Sequence, residues 1–234
     1  MPQTHIFKDN QTVAQAFAKY LANEISKVDT FHIALSGGST PKVLFELLAK
    51  NYAKKIDWKK VHFYWGDERC VSPQDSDSNY GMTYEKLIKH INIPKKNIHR
   101  VKGEDEASKE AIRYGKELEK NLYLVDGWPV FNLIILGMGS DGHTASIFPK
   151  EIHLLKSKNF CEVATHPDSG QKRITFTGGL INAAQAIHFL VTGASKQDKI
   201  KEIFSKKGKY KNYPASHINA TAWWMDSAAA NKAC

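Results

Sequence analysis

The stretch of residues 136–146 carries an acid and a histidine in a setting that could do chemistry. It follows an apolar run, residues 131–136, that predicts a buried strand. Three glycines then predict a tight turn with close backbone approach, and Asp141 and His143 lie inside it. A neutral imidazole can accept a proton from water near neutral pH. We therefore predict that His143 is a general base that Asp141 orients, unless Asp141 binds substrate hydroxyls. The alternative is a loop histidine that only hydrogen-bonds to the backbone.

The glycines of this stretch also match a nucleotide-binding pattern. Gly137, Gly139 and Gly142 satisfy Gly-x-Gly-x-x-Gly, but that fingerprint normally opens the first βαβ unit, and this match lies past the middle of the chain. A pyrophosphate site also has no use for an acid and a histidine. We therefore expect no nicotinamide cofactor, and no other cofactor.

A second loop, residues 36–41, joins a predicted strand to a predicted helix. The backbone amides and hydroxyls at its centre can form an anion cradle where the helix dipole favours negative charge, and these groups belong to Gly37, Gly38, Ser39 and Thr40. The loop is not a Walker loop, because no Gly-Lys-Ser/Thr follows. It is not a nucleophile elbow either, because Pro41 stands where that motif needs glycine. The alternative interpretation is a plain turn in which a serine or threonine caps the helix.

Three cations lie at the ends of predicted strands. Arg69 closes the run Gly-Asp-Glu-Arg after one strand, Arg173 begins another, and Lys196 follows a third. An arginine at such a place can hold a phosphate or a carboxylate with two hydrogen bonds. The alternatives are a local ion pair of Arg69, worth under ~1 kcal/mol, and ordinary surface cations. Because a phosphate cradle is already predicted nearby, we favour phosphate contacts.

The elements that must position these residues alternate along the chain. Helices are predicted at 12–28, 41–50, 80–90, 104–124, 178–185 and 197–204, and strands at 31–35, 61–65, 98–101, 131–136, 160–165, 173–177, 186–192 and 220–225. The alternation predicts an α/β fold: a three-layer, mostly parallel, Rossmann-like sheet with helices on both faces. Ligands of such sheets bind at the carboxyl ends of the strands. Polar residues at four strand ends therefore predict one shared site, and the lysine-rich segment 206–213 is predicted to be mobile.

Length and composition set the class of protein. The 234 residues suit one large domain, residues 1–234. The net charge is +9, but the lysines are scattered and aromatic residues are not interleaved with them. We therefore expect no nucleic-acid partner; the alternative is a basic nucleic-acid-binding or regulatory protein that kept the fold and lost the chemistry.

Location and metal content follow from other absences in the sequence. No apolar run approaches the ~20 residues of a membrane span, so no membrane association is expected. The first residues lack the layout of a signal peptide. Three widely spaced cysteines match no zinc spacing and suit a reducing compartment, and they are Cys70, Cys161 and Cys234. We predict a cytoplasmic protein without a metal ion.

Five motifs, in order along the chain, together resemble the 6-phosphogluconolactonase family, part of a wider group that includes glucosamine-6-phosphate deaminase. They are Ser-Gly-Gly-Ser-Thr-Pro at 36–41, Gly-Asp-Glu-Arg at 66–69 with Ser-Asn-Tyr at 78–80, Leu-Gly-Met-Gly-Ser-Asp-Gly-His-Thr-Ala-Ser-Ile-Phe-Pro at 136–149, Arg-Ile-Thr at 173–175 and Pro-Ala-Ser at 214–216. The deaminases carry glutamate where this chain has Phe148, and Asp-Glu-Tyr where it has 67–69. Ser140 and the Gly178-Gly179 pair depart from the lactonase pattern.

The resemblance implies hydrolysis of 6-phospho-D-glucono-1,5-lactone to 6-phospho-D-gluconate, a step of the oxidative pentose phosphate pathway, with a deaminase or isomerase acting on sugar phosphates as the alternative. His143 would activate water, and Arg69 or loop amides would stabilise the oxyanion. The 36–41 loop would bind the 6-phosphate together with Arg173 and Lys196. The expected partner is the small phosphorylated lactone, and the expected assembly is a monomer or small homo-oligomer.

Overall fold

Six parallel strands form the central sheet of the structure, a computed structural model that describes residues 2–230. In the order in which they pair, they are β1 (Gln3–Phe7), β11 (Ala222–Asp226), β10 (Ile187–Val191), β7 (Leu133–Leu136), β2 (Phe31–Leu35) and β3 (Val61–Trp65). The parallel sheet predicted from the sequence is confirmed.

Helices pack on both faces of this sheet. They are α1 (Asn10–Ser26), α2 (Ser39–Asn51), α3 (Asn79–Lys86), α4 (Ala107–Asn121), α5 (Gly178–Asn182), α6 (Gln197–Ser205) and α7 (Ser227–Ala230). Trp223 and Trp224 are consecutive in β11 and point to opposite faces. Trp223 meets Phe204 of α6 with ring centroids 5.4 Å apart, and Trp224 meets Phe17 of α1 at 5.2 Å. Because both faces are covered, β7, β10 and β11 are buried along their whole length.

A second, antiparallel sheet was not predicted as such. It consists of β4 (Asp67–Arg69), β9 (Lys172–Phe176) and β8 (Cys161–Thr165), in that order. The sequence predicts two of these strands, at 160–165 and 173–177, whereas it predicts 67–69 only as the end of the strand at 61–65. The stretch pairs because β9 lies beside it in register, which local sequence does not reveal. A separate hairpin joins β5 (Leu124–Val125) to β6 (Trp128–Pro129).

The remaining differences from the predicted elements have simple causes. The strand β1 was missed because it is an edge strand with little buried apolar surface. No strand forms at 98–101; Ile98 makes only an isolated bridge to Phe63. Helix ends shift by a few residues, as helix ends generally do.

No helix among residues 2–230 is long and apolar enough to cross a membrane. Cys70 and Cys161 are free thiols, and Cys234 lies outside the described residues.

Two histidines on the central sheet make the stability of the fold sensitive to acid. Burial lowers the pKa of His188 to about 4, helped by the charge of His5. Burial, with the charges of His62 and His99, lowers the pKa of His32 to about 4. The unfolded chain therefore takes up protons below about pH 6.5 that the folded protein refuses. Stability is complete above that pH and is lost progressively towards pH 4.

We expect the free energy of unfolding to fall by on the order of 3 kcal/mol between pH 7 and pH 4.5, after allowance for solvent around the half-exposed His32. Urea denaturation at a series of pH values measures this. Replacing His188 with Gln should flatten the dependence, whereas the same change at the exposed His153 should leave it as in the parent. A free energy that is constant over this range would contradict the prediction.

Candidate active site

One cavity of about 260 Å³ lies at the carboxyl ends of the central strands. Of the nine residues predicted in the site, eight line this cavity, namely Gly37, Gly38, Ser39, Thr40, Arg69, His143, Arg173 and Lys196. The ninth, Asp141, is bonded to His143 from outside the lining. The structure therefore brings all four predicted strand ends to one place.

The histidine and the acid form a hydrogen-bonded pair. His143 Nδ1 lies 2.7 Å from Asp141 Oδ1, and the same oxygen accepts the backbone N–H of His143 at 3.1 Å. Burial tends to raise the pKa of Asp141, but the bond to His143 and its charge outweigh this, so the pKa lies below its ordinary value. The carboxylate is thus ionised and is hydrogen-bonded to Nδ1. Within residues 2–230, Nε2 has no hydrogen-bond partner, and it remains available to a water molecule in the cavity.

This close pair explains one of the glycines. A Cβ atom on Gly139 would lie 2.2 Å from His143 Nδ1 and 2.6 Å from Asp141 Oδ1, closer than any side chain allows. The glycine therefore makes room for the imidazole–carboxylate pair. No α-helix begins at this loop; the chain continues to a 3₁₀ helix at Pro149–Lys156. A dinucleotide fingerprint needs a helix N-terminus at that point, so the loop lacks the geometry of one.

Arg69 and Arg173 lie directly opposite each other where β4 pairs with β9. Facing like charges destabilise a sheet unless something compensates them. Neither guanidinium forms an ion pair with any residue in 2–230, and the Nε–H of each is buried without a partner. Burial and the neighbouring Arg69 charge lower the pKa of Arg173. The alternative prediction of a local ion pair at Arg69 is wrong: its Nη1 donates to the carbonyl of Asp77. Two unpaired cations with unused donors are what an anionic ligand requires.

The 36–41 loop presents backbone donors to the same cavity. Gly38, with φ of 101°, is the N-cap of α2, and no side chain caps this helix. The alternative interpretation, with serine or threonine as the cap, is therefore wrong. In the part of the chain that the structure describes, no acceptor binds the N–H groups of Ser39 or Thr40. Free amides at a helix start attract anions.

Lys196 immediately precedes α6 and lines the cavity without an ion pair among residues 2–230. Burial lowers its pKa, and the nearby Asp141 charge partly opposes that change. Lys196 therefore adds a third cation, on the side of the cavity nearest the imidazole–carboxylate pair.

Two functional-looking residues received no role from the sequence. Asp67 is buried and lines the cavity; its Oδ2 accepts a bond of 2.7 Å from the Ser146 hydroxyl. Asn79 also lines the cavity, and its Nδ2 donates to the Asp67 carbonyl at 2.9 Å. Its side chain leaves no space for a Cβ atom on Gly37, because that atom would lie 1.8 Å from Asn79 Oδ1. The only signal in the sequence was that both lie in motifs of the resemblance.

A buried carboxylate fixes Asn79. Glu68 is 2% exposed and accepts the backbone N–H groups of Asn79 and Tyr80, each at 2.7 Å, together with the Ser78 hydroxyl. It thereby satisfies the donors at the start of α3, and the negative charge suits the helix dipole. Burial raises the pKa of Glu68 despite these bonds. Among the described residues, no group of three or more metal-binding side chains is present.

Comparison with known proteins agrees with this geometry. A family model described as glucosamine-6-phosphate isomerases/6-phosphogluconolactonase matches residues 8–225. A protein of Haemophilus influenzae named 6-phosphogluconolactonase is 49% identical over 203 residues, which cover 85% of each chain. One of Treponema pallidum with the same name is 44% identical over 221 residues, 94% of this chain and 89% of that one.

A solved structure of 6-phosphogluconolactonase from Trypanosoma brucei superposes with a TM-score of 0.84 at 27% identity, covering 99% of this chain and 98% of that one. The fold and the sequence thus point to the same relatives. This chain belongs to the family of glucosamine-6-phosphate isomerases and 6-phosphogluconolactonases.

Proposed function

We propose that this protein hydrolyses 6-phospho-D-glucono-1,5-lactone to 6-phospho-D-gluconate, the lactone-opening step of the oxidative pentose phosphate pathway. The observation that carries the proposal is the content of one cavity: an imidazole hydrogen-bonded to a carboxylate, and three cations that form no ion pair among residues 2–230. The substrate carries a neutral ester and a phosphate, and the cavity contains a base suited to the first and cations suited to the second.

In the proposed reaction, His143 Nε2 takes a proton from water as the oxygen attacks the C1 carbonyl. The carbonyl electrons move to the oxygen and form a tetrahedral oxyanion. The Arg69 guanidinium and the 137–139 loop line the cavity, and the guanidinium or the Met138 N–H can donate to that charge, whereas the Gly139 N–H is already bonded to the His143 carbonyl. When the intermediate collapses, the bond between C1 and the ring oxygen breaks. The imidazolium returns its proton to that oxygen, and the product is a carboxylic acid with a free hydroxyl.

Substrate positioning would come from the groups of the cavity that can bind the phosphate. The free amides of Ser39 and Thr40 provide donors for the 6-phosphate, and Arg173 and Lys196 provide charge. Holding a remote phosphate places the reacting carbon beside the base and removes much of the entropy cost of the encounter. No metal ion or cofactor enters this scheme.

A particular side chain distinguishes the lactonase from its amino-sugar relatives. Phe148 stands where the resemblance places a glutamate in the deaminases; it is 1% exposed and its ring lies 4.8 Å from that of His143. It also lies under the Arg173 guanidinium at 5.5 Å. An apolar ring cannot transfer protons for ring opening and isomerisation, so a phenylalanine at this place beside His143 favours lactone hydrolysis.

Substrate specificity tests the proposal directly. We expect freshly prepared 6-phospho-D-glucono-1,5-lactone to disappear far faster than its spontaneous hydrolysis, with 6-phosphogluconate as the product by NMR. With glucosamine 6-phosphate, we expect no release of ammonia. Ammonia release without lactone hydrolysis would establish the deaminase alternative instead.

A further inference from the structure

The segment 206–213, predicted to be mobile, folds behind the histidine loop. Among the described residues that line the cavity, none belongs to this segment. Its last residue, Tyr213, is 5% exposed and packs against Gly142, the neighbour of His143. A Cβ on Gly142 would lie 2.6 Å from the Cβ of Tyr213, and the N–H of Ala215 donates to the Gly142 carbonyl at 3.1 Å. The segment therefore supports the loop from behind.

Tyr213 is itself held in place by Glu202 of α6. The phenol hydroxyl donates to Glu202 Oε2 at 2.9 Å, and the backbone N–H of Lys209 donates to the same oxygen at 2.6 Å. These two bonds lower the pKa of Glu202, so its carboxylate is ionised and accepts both donors. The Lys199 ammonium lies 5.0 Å above the Tyr213 ring. The ring is thus fixed between α6 on one side and Gly142 on the other.

This arrangement connects two walls of the cavity. Lys196 lies immediately before α6, and Glu202 lies within the same helix. Through Tyr213, the helix that follows Lys196 is tied to the loop that carries Asp141 and His143. The loop forms no regular element around His143, and Gly142 has φ of 87°. Its own hydrogen bonds, from the Gly139 N–H to the His143 carbonyl at 2.9 Å and from the Gly142 N–H to the Gly139 carbonyl at 3.1 Å, close a turn. Tyr213 packs against Gly142 in this turn and adds support that these bonds do not provide.

We propose that Tyr213 is a positioning residue for the Asp141–His143 pair, anchored by Glu202, and that the segment 206–213 is a fixed support of the histidine loop rather than a lid. The inference rests on the proposed role of His143 as the general base. Tyr213 makes no contact with substrate in this role. Loss of its side chain should therefore lower kcat and leave the binding of the phosphate unchanged.

Substitution of Tyr213 separates this role from a general loss of packing. We expect Tyr213→Ala to lower kcat about tenfold, with KM within about twofold of the parent. Tyr213→Phe keeps the ring on Gly142, so its kcat should stay within about threefold of the parent. Glu202→Gln keeps a hydrogen-bond acceptor for the phenol, so its kcat should also stay within about threefold of the parent. Tyr20→Ala is the matched control. Tyr20 is a half-buried tyrosine of α1 that packs on His188 and Trp224, outside the cavity, so this change should leave kcat unaltered.

A double-mutant cycle with His143→Ala provides the decisive comparison. If Tyr213 acts through the imidazole, adding Tyr213→Ala to His143→Ala lowers kcat no further. An equal loss in both backgrounds, or a large rise in KM, would overturn the inference while leaving the proposed function intact. If His143→Ala alone retained parental activity, the general-base assignment would fail, and the inference with it. Should Tyr213→Ala not fold, Tyr213→Leu, which keeps an apolar side chain, carries the same comparison.

Discussion

Replacing His143 with Ala should lower kcat for lactone hydrolysis by about 10²–10⁴-fold, the usual contribution of a general base. The change removes the imidazole that lines the cavity but leaves both arginines and the amides of Ser39 and Thr40 in place. KM should therefore stay near the parental value. Because the lactone also opens by itself, the rate is measured on fresh substrate with the spontaneous reaction subtracted.

Two companion variants define what the loss means. Asp141→Asn keeps the shape of the pair but removes the charge that holds Nδ1, so we expect a smaller decrease in kcat than for His143→Ala. His153→Ala removes an exposed histidine outside the cavity and should retain parental activity. A His143→Ala variant with activity within about a factor of two of the parent would defeat the base assignment, since general-base catalysis contributes far more.

Replacing Arg173 with Gln should raise KM for the phosphorylated lactone by about 10- to 100-fold, with kcat changed much less. A hydrogen bond to a charged group is worth roughly 1.5–3 kcal/mol, and each 1.4 kcal/mol is about a factor of ten in binding. Steady-state kinetics on 6-phospho-D-glucono-1,5-lactone measures the effect. Glucono-1,5-lactone, which has no phosphate, is the control substrate: parent and variant should have the same kcat/KM for it, because Arg173 would have no phosphate to bind.

The neighbouring lysine offers a matched control for charge. Lys172 precedes Arg173 in β9 but is exposed and bonds to the Thr165 hydroxyl, so Lys172→Gln should leave KM unaltered. Arg173→Gln should also raise the thermal stability of the free protein, because it removes one of two opposed guanidinium groups. An unchanged KM in Arg173→Gln would show that the phosphate binds elsewhere.

Local sequence patterns were sufficient for the elements whose signal is strong. The runs that became β2, β3, β7 and β10 were predicted within two residues of their observed bounds, because strands with both faces covered are mostly apolar. The edge strand β1 lacks that signal. The pairing of 67–69 with Lys172–Phe176 joins residues about a hundred positions apart, and only the folded chain brings them into register.

For the site, residue types and strand ends predicted which loops would meet. Parallel strands place their carboxyl ends at one edge, so polar residues after four such strands had to face a common space. Eight of the nine predicted residues do line one cavity. Their proposed roles rest on the experiments above.

Other features of the site have no local sequence signal. The buried carboxylates of Asp67 and Glu68 look like a surface acidic pair in the sequence, and their exposure depends on β9 and α3. The support of Gly142 by Tyr213 likewise joins distant residues. Such contacts arise from packing, which depends on all neighbours at once.

The sequence by itself determined the fold class, the edge of the sheet where the site lies and the chemical groups present there, because periodicity and strand-end composition are local properties. Only the tertiary structure decided that Arg69 and Arg173 face each other without an ion pair among residues 2–230. It also decided that Asp141 is hydrogen-bonded to Nδ1 of His143 and that segment 206–213 lies behind the loop. Charge pairing, burial and orientation are relations between distant residues, and they exist only once the chain has folded.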